Sequence, residues 1–130
     1  MLEIREYKAT DEENLFDIMR EEGLEWKDYW SNIPKYKTAM SNSLVFVACE
    51  DNEFCGCLRC RDDYGFGVYV YELIVKKSKR GKNIGRALMD KVCAVFPSDT
   101  IYVMSDVDAY YEKQGYKKIG SIFEVKKVQK

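Results

Sequence analysis

Apolar and polar residues follow two different periods along the first third of the chain. They alternate over residues 2–8, which is typical of a short strand, and then recur every three or four positions over 10–23, which is typical of a helix. A weaker helical pattern covers residues 26–40. Because Pro34 interrupts it, two short helices or a kink are predicted there.

The middle of the chain is rich in β-branched and aromatic residues and predicts three strands. Residues 44–49 and 54–60 flank a polar turn and form a predicted hairpin. A longer run at 68–75 has the composition of a central strand. Since short polar turns join all three runs, an antiparallel meander is expected.

The last part of the chain alternates between helical and extended patterns. A helical stripe runs from Ile84 to Val95, and shorter segments at 101–104, 106–114 and 116–128 predict strand, helix and strand. The complete order is β-α-α-β-β-β-α-β-α-β. This order, without linker or repeat, predicts one α+β domain over residues 1–130.

Charge and composition exclude several classes of function. Lys and Arg number 21 against 22 for Asp and Glu, so duplex nucleic acid and anionic membranes are poor default partners. Histidine is absent, which excludes imidazole bases, histidine triads and histidine metal sites. Five cysteines without an apolar leader after Met1 predict free thiols in a reducing cytoplasm.

A basic segment at residues 76–86, here called the basic loop, is the best candidate for a binding site. It joins the predicted strand at 68–75 to the helix that begins at Ile84, and its cations are Lys76, Lys77, Lys79, Arg80, Lys82 and Arg86. A helix start carries amides without intrahelical partners at the positive end of the dipole, so it binds phosphate groups well. The alternative is a solvated turn, which is the more common role of such charged loops. The segment lacks the motifs of ATP and dinucleotide loops.

Two motifs resemble one enzyme family. The sequence RGKNIG at 80–85 matches the pattern Arg/Gln-x-x-Gly-x-Gly/Ala after a strand that ends in ELIV, and YYEKQGY at 110–116 is similar to a Tyr-Glu-Lys-x-Gly-Phe/Tyr element. On these residues the chain resembles the GNAT superfamily of acyl-CoA-dependent N-acyltransferases. The resemblance implies a mixed, mostly antiparallel β-sheet flanked by helices.

The resemblance also implies acetyl-CoA as co-substrate and assigns residues to it. The loop and helix start would bind the pyrophosphate, and the backbone of the preceding strand would pair with the pantetheine arm as an added strand does. The residues implied are Leu73, Ile74, Val75, Arg80, Gly81, Lys82, Asn83, Ile84, Gly85 and Arg86. Asn83 stands where the family usually has glycine. Because asparagine adopts left-handed geometry readily, we expect the loop to keep its shape.

Tyr111 matches the tyrosine of the family's Tyr-Glu-Lys-x-Gly-Phe/Tyr element, and the resemblance implies that it protonates the departing thiolate. A phenol with an ordinary pKa of about 10 suits that role. The alternative is that it is a core aromatic, and this interpretation is retained for the neighbouring Tyr110.

The proton acceptor is predicted from position alone. Glu72 lies where the family often has an acidic residue that accepts the amine proton through water; alternatively, it pairs with a lysine or faces solvent. Ser105 and Asp106 would contact the cofactor or the amine, or cap the following helix.

Two further clusters have alternative interpretations. Cys55, Cys57 and Cys60 have a spacing that suggests a metal, but on a strand the first two face one way and the third the other, which favours core packing. The aromatic residues at 26–36 line an acceptor pocket or pack in the core; they are Trp26, Tyr29, Trp30 and Tyr36.

The sequence thus predicts a metal-free cytoplasmic N-acetyltransferase that joins acetyl-CoA and a small-molecule or peptide amine in a ternary complex. One rival is a catalytically inactive CoA-binding module with a regulatory or sensor role. A nucleic-acid-binding domain that uses the basic loop is another, and the net charge argues against it. The resemblance also allows a homodimer through the final strands.

Overall fold

A computed structural model describes residues 1–127 and contains a five-stranded sheet with helices on both faces. The strands are β1 (Leu2–Glu6), β2 (Leu44–Glu50), β3 (Glu53–Asp62), β4 (Val68–Val75) and β5 (Ile101–Val103). They lie side by side in chain order. All neighbours are antiparallel except β4 and β5, which are parallel. The predicted α+β class with a mixed, mostly antiparallel sheet is confirmed.

Five α-helices within residues 1–127 connect or cover the strands. They are α1 (Glu12–Glu22), α2 (Lys27–Trp30), α3 (Ile33–Ser41), α4 (Ile84–Val95) and α5 (Asp108–Lys113). The predicted pair of short helices around Pro34 is confirmed. Pro34 lies in the first turn of α3, where a missing N–H group costs no helical hydrogen bond, and the Asn32 side chain accepts from the Lys35 amide at 3.4 Å. None of the helices within residues 1–127 is both long and apolar enough to cross a membrane.

The sheet separates two apolar cores. Helices α1 and α3 cover one face, where Leu15, Phe16 and Tyr36 are buried. Helix α4 covers the opposite face with Leu88 and Val92. We call these the α1-side core and the α4-side core.

Two β-bulges change which side chains face each core. In the β2–β3 pairing Ala48 lies opposite Gly56 and Cys49 opposite Phe54, so Cys55 is an extra residue. As a result Cys55 packs with Cys60 in the α4-side core, whereas Cys57 packs in the α1-side core. The prediction that Cys55 and Cys57 share a face is therefore wrong.

The second bulge lies in β4 and determines the direction of Glu72. Arg59 lies opposite Glu72 but Cys60 lies opposite Val70, which leaves Tyr71 as the extra residue. Strict alternation from the buried Val70 would direct Glu72 into the α4-side core. The bulge instead turns Glu72 toward the α1 side, opposite to Leu73.

Strands β4 and β5 diverge after a short pairing. Val68 to Val70 pair with Ile101 to Val103, and the Met104 amide donates to the Val70 carbonyl at 2.9 Å. Beyond this point β5 has ended while β4 continues to Val75. Strands β4 and β5 therefore form an open fork, with Tyr71 and Glu72 at its base on the β4 side.

The predicted strand at 116–128 is not found in its described part. Residues 116–127 adopt no strand, and Val128 lies outside the described residues. The apolar side chains of this segment are largely exposed, with Phe123 at 86% and Val125 at 83%. An alternating pattern forms a strand only when a neighbouring edge accepts its backbone hydrogen bonds, and β5 is only three residues long.

Candidate active site

The basic loop joins β4 to α4 through two left-handed residues. Gly81 has φ of 80° and Asn83 has φ of 61°, a region that non-glycine residues seldom adopt. Asn83 immediately precedes the first residue of α4. Asn83 thus adopts the left-handed geometry that asparagine was expected to tolerate here.

The start of α4 presents a row of backbone donors. The first hydrogen bond that closes this helix runs from the Ala87 amide to the Asn83 carbonyl at 3.0 Å. Within residues 1–127, none of the amides of residues 81–86 donates to a backbone carbonyl. These donors, at the positive end of the helix dipole, are suited to hold an anion.

Acidic side chains partly neutralise the cations of the basic loop. Arg80 forms an ion pair with Glu22, and its Nε donates to the Val75 carbonyl at 3.1 Å. Glu50 lies 3.4 Å from the Lys79 ammonium and 3.9 Å from that of Lys82. Solvent screens such surface pairs, so their net contribution is small and a phosphate can displace them.

Gly85 allows Tyr110 to lie against the start of α4. A Cβ atom at Gly85 would collide with the Tyr110 hydroxyl and would come within 3.6 Å of Leu73 Cδ2. Tyr110 is 37% exposed, so it lies at the rim of the α4 start rather than in the core expected for it. No sequence motif signalled this contact.

The second half of β4 has a free edge at the fork. Ile74 is buried in the α1-side core, and Leu73 and Val75 pack against the α4-side core. Among the described residues no strand pairs with β4 on its β5 side beyond Val70. The backbone of residues 73–75 is thus available to an extended ligand that runs toward the basic loop.

Tyr111 lies on α5 and packs on the α4-side core. Its ring is 5.0 Å from that of Tyr110 in an edge-to-face arrangement and 6.3 Å from the stacked ring of Tyr116. Burial raises the pKa of Tyr111 to about 12. The Tyr111 hydroxyl forms no hydrogen bond within residues 1–127 and is not fully buried, so at neutral pH it is an accessible proton donor.

Glu72 is buried at the base of the fork and binds two partners. Arg59 donates from Nε to Oε1 and from Nη2 to Oε2, each at 2.6 Å, and the Tyr36 hydroxyl donates to Oε1 at 2.7 Å. Burial raises the pKa of Tyr36, and the Glu72 charge raises it further, so Tyr36 remains a donor. We call Glu72, Arg59 and Tyr36 the Glu72 network.

Sequence reasoning missed Arg59 and the role of Tyr36. The guanidinium of Arg59 stacks over the rings of Tyr36 at 5.7 Å and Tyr71 at 5.1 Å, and Nη1 donates to Ser43 Oγ at 3.0 Å. The one available signal was an arginine on the strand next to the acidic residue. The pairing register of these two strands could not have been predicted, because it depends on the bulge at Tyr71.

The two polar residues after β5 differ in their contacts. Ser105 Oγ accepts from the Val107 amide at 3.2 Å and donates to Asp108 at 2.9 Å. The N-cap residue of α5 is Val107, which makes no side-chain cap hydrogen bond, so the predicted cap by Ser105 or Asp106 is not found. Asp106 is exposed and forms no side-chain hydrogen bond or ion pair with the described residues.

The cysteines are free thiols, and those of β3 lie in the cores. Burial raises the pKa of Cys57 and raises that of Cys60 to about 11. No group of three or more potential metal ligands occurs within residues 1–127. Core packing is the role that these contacts support.

Comparison with known proteins identifies the family. The model of the acetyltransferase (GNAT) domain matches residues 10–129. The chain belongs to the GNAT family. The resemblance inferred from the two short motifs is thereby confirmed, and GNAT proteins transfer acetyl groups. A search of the curated proteins found no match.

Solved structures of acetyltransferases share the fold along nearly the whole chain. An aminoglycoside acetyltransferase from an uncultured soil metagenomic sample is 22% identical, covers 98% of this chain and 99% of its own, and has a TM-score of 0.78. A GNAT protein from Streptococcus pneumoniae TIGR4 is 20% identical over 98% of this chain and 100% of its own, with a TM-score of 0.74.

A third structure, of a predicted acetyltransferase from Clostridium acetobutylicum, was determined with acetyl-CoA. It is 14% identical, covers 97% of this chain and 96% of its own, and has a TM-score of 0.64. At these identities the likeness concerns the fold alone.

Proposed function

We propose that this GNAT protein transfers an acetyl group from acetyl-CoA to an amine, acting as one catalytic domain over residues 1–130. The observation that carries the proposal is the path from the β4–β5 fork to the basic loop. An exposed strand edge leads to the free amides of residues 81–86, which suits a ligand with an amide-containing arm and a pyrophosphate. Free thiols support a cytoplasmic location.

The cofactor would be held by two groups of residues. The backbone of Leu73, Ile74 and Val75 would pair with the pantetheine arm. The pyrophosphate would be bound by Arg80, Gly81, Lys82, Asn83, Ile84, Gly85 and Arg86. Binding requires Arg80 and Lys82 to exchange Glu22 and Glu50 for phosphate oxygens. Both cations are about half exposed, so they can reach a phosphate while the two carboxylates stay in place.

The chemistry proceeds by direct attack in a ternary complex. A neutral amine attacks the thioester carbonyl, and collapse of the tetrahedral intermediate forms the amide bond and breaks the carbon–sulfur bond. Tyr111 gives its proton to the leaving thiolate: its phenol is protonated at neutral pH, and burial, which raises its pKa to about 12, makes it a weaker acid than an ordinary tyrosine. Glu72 accepts the amine proton through a water molecule.

The acceptor is a small-molecule or peptide amine. Two aromatic residues, Tyr29 and Trp26, lie beside the Glu72 network. The ring of Tyr29 is 5.1 Å from that of Tyr36 and 5.2 Å from that of Trp26. Aromatic faces bind cationic and apolar groups alike. Aminoglycosides, the substrates named for one structural neighbour, belong in any screen of acceptors.

A second candidate is a CoA-binding module without turnover. Two observations favour it. Carboxylates form ion pairs with cations of the basic loop, and the Glu72 carboxylate that would accept the amine proton is ion-paired with Arg59. Such a protein would bind acetyl-CoA and release no thiol with any amine.

The proposal is tested by calorimetric titration of acetyl-CoA and desulfo-CoA, followed by an amine screen that detects free thiol. We expect saturable binding that weakens by at least about 100-fold in R80A/K82A, since charge-assisted contacts contribute about 1.5–3 kcal/mol each. The matched control is K27A/R61A, which removes two exposed cations elsewhere and should bind normally.

The variant Y111F separates the two candidates. It should keep its affinity for acetyl-CoA and lose most thiol release. Absence of binding at millimolar acetyl-CoA would refute both candidates, and binding without turnover in the wild type would support the inactive module.

A further inference from the structure

Among the ion pairs within residues 1–127, of which Arg5–Asp11 is also largely buried, the Arg59–Glu72 pair is the least exposed. The two side chains are 14% and 7% exposed, against 47% and 63% for Arg20 and Asp17 on the surface of α1. Burying two charges carries a desolvation cost, and apolar residues of similar volume often serve stability equally well. A structural role alone therefore explains the pair poorly.

The two oxygens of Glu72 are occupied unequally. Oε1 accepts from Arg59 Nε and from the Tyr36 hydroxyl, which fills its two acceptor positions. Within residues 1–127, Oε2 accepts only from Arg59 Nη2. One acceptor position of the carboxylate is thus left, and it belongs to Oε2.

Arg59 is itself held on several sides, so it can fix the orientation of the carboxylate. Its guanidinium lies over the rings of Tyr36 and Tyr71, and Nη1 donates to Ser43. Tyr71 is the bulge residue that turns Glu72 toward the α1 side. A planar, two-pronged guanidinium defines the plane of a carboxylate, which a lysine ammonium cannot do.

From these contacts we infer that Arg59 is a positioning residue that holds Glu72 so that Oε2 receives the hydrogen bond of the acceptor amine or its relaying water. The inference rests on the proposed function and adds to it the role of Arg59 and the identity of the accepting atom, Glu72 Oε2. Tyr36 contributes by filling Oε1, and it links α3 to the base of the fork. Arg59 itself does not touch the reacting atoms.

The test is a double-mutant cycle on thiol release with acetyl-CoA and the best amine of the screen, using wild type, R59M, E72Q and R59M/E72Q. If Arg59 acts through Glu72, R59M lowers kcat about 10- to 100-fold, the usual cost of a misplaced catalytic group. The KM for acetyl-CoA stays within about twofold, since the basic loop is untouched. In the E72Q background R59M changes kcat by less than about twofold.

Two further variants control for folding and charge. R59K retains the cation without the two-pronged contact, and it should recover the melting temperature more fully than kcat. R61M removes an exposed arginine of the same strand and should behave as wild type.

The outcomes separate the inference from the proposed function. An active wild type in which R59M lowers kcat equally in both backgrounds, or in neither, overturns the inference and leaves the acetyltransferase proposal standing. A wild type that releases no thiol with any amine overturns both. Loss of kcat confined to the Glu72 background supports the positioning role.

Discussion

The basic loop and the Glu72 network both gather charged side chains, but they hold them in opposite ways. In the basic loop, Lys82 is half exposed and its ammonium lies 3.9 Å from Glu50. In the Glu72 network, Arg59 and Glu72 are buried and their two hydrogen bonds are 2.6 Å long. Exposed, loose pairs exchange partners at little cost, whereas a buried, two-pronged pair keeps one geometry. The first region is therefore suited to capture an anion, and the second to orient a reacting group.

The largest effect is expected from removing one partner of the buried pair. R59M leaves the Glu72 carboxylate buried and unpaired, which should lower the free energy of unfolding by about 3–5 kcal/mol. R59M/E72Q should recover most of this loss, because the unpaired charge is gone. Urea denaturation of both variants measures the effect. A cost below about 1 kcal/mol for R59M would show that the two regions do not differ as described.

A smaller effect is expected where the basic loop meets α4. G85A places a methyl group against the Tyr110 hydroxyl, which must move, although alanine favours the helix. In the Y110F background that oxygen is absent, and the next ring atom lies at 3.5 Å, an ordinary contact. We therefore expect G85A to stabilise Y110F by about 0.5–1 kcal/mol and to give wild type no such gain.

Urea denaturation of the four proteins completes that cycle. Equal effects of G85A in the two backgrounds would mean that Tyr110 does not restrict the start of α4. The helix start would then be as open as the rest of the basic loop.

A still smaller effect is predicted for the carboxylate that competes for the lysines. E50Q frees Lys82 and leaves Lys79 paired with Glu53 alone, so acetyl-CoA should bind about two- to fivefold more tightly, as expected for a surface pair worth under 1 kcal/mol. The gain should shrink at high salt. E3Q, on the neighbouring strand, is the control, and calorimetry is the measurement. Weaker binding in E50Q would mean that Glu50 orients the lysines instead of competing with phosphate.

The smallest effect concerns the pH dependence of an exposed pair. The hydrogen bond from Lys76 and the charge of Lys79 lower the pKa of Glu53 from its ordinary value of 4.5. A lowered pKa stabilises the folded state above the ordinary value, and the contribution is lost as pH falls through the lowered value. E53Q should therefore melt slightly below wild type at pH 7, and the difference should shrink as the pH falls below 4.5. A difference that persists in acid would point to a role other than charge.

Short-range signals predicted the basic loop well. Its strand, its left-handed Asn83 and the helix that starts at Ile84 are contiguous in sequence, so each follows from local preferences for turns and helix starts. The roles of its residues and of Tyr111 remain predictions. The contact of Tyr110 with Gly85 was not predicted, because it joins α5 to α4 across about 25 residues of sequence.

The Glu72 network could not be predicted, because β3, β4 and α3 each supply one member. Its register depends on the bulge at Tyr71, and one extra residue reverses every side chain after it. A bulge at Cys55 likewise reversed the predicted grouping of the cysteines. The expected final strand failed for a related reason, since its pairing depends on the length of β5.

The sequence by itself determined the order of elements, the family motifs, the absence of imidazole chemistry and the basic character of the loop. These are properties of neighbouring residues, and their physics acts over a few positions. Only the tertiary structure decided which face Glu72 occupies, which arginine pairs with it, and where β4 and β5 part. Those outcomes depend on strand register and on the burial of charge, which arise only when distant segments pack together.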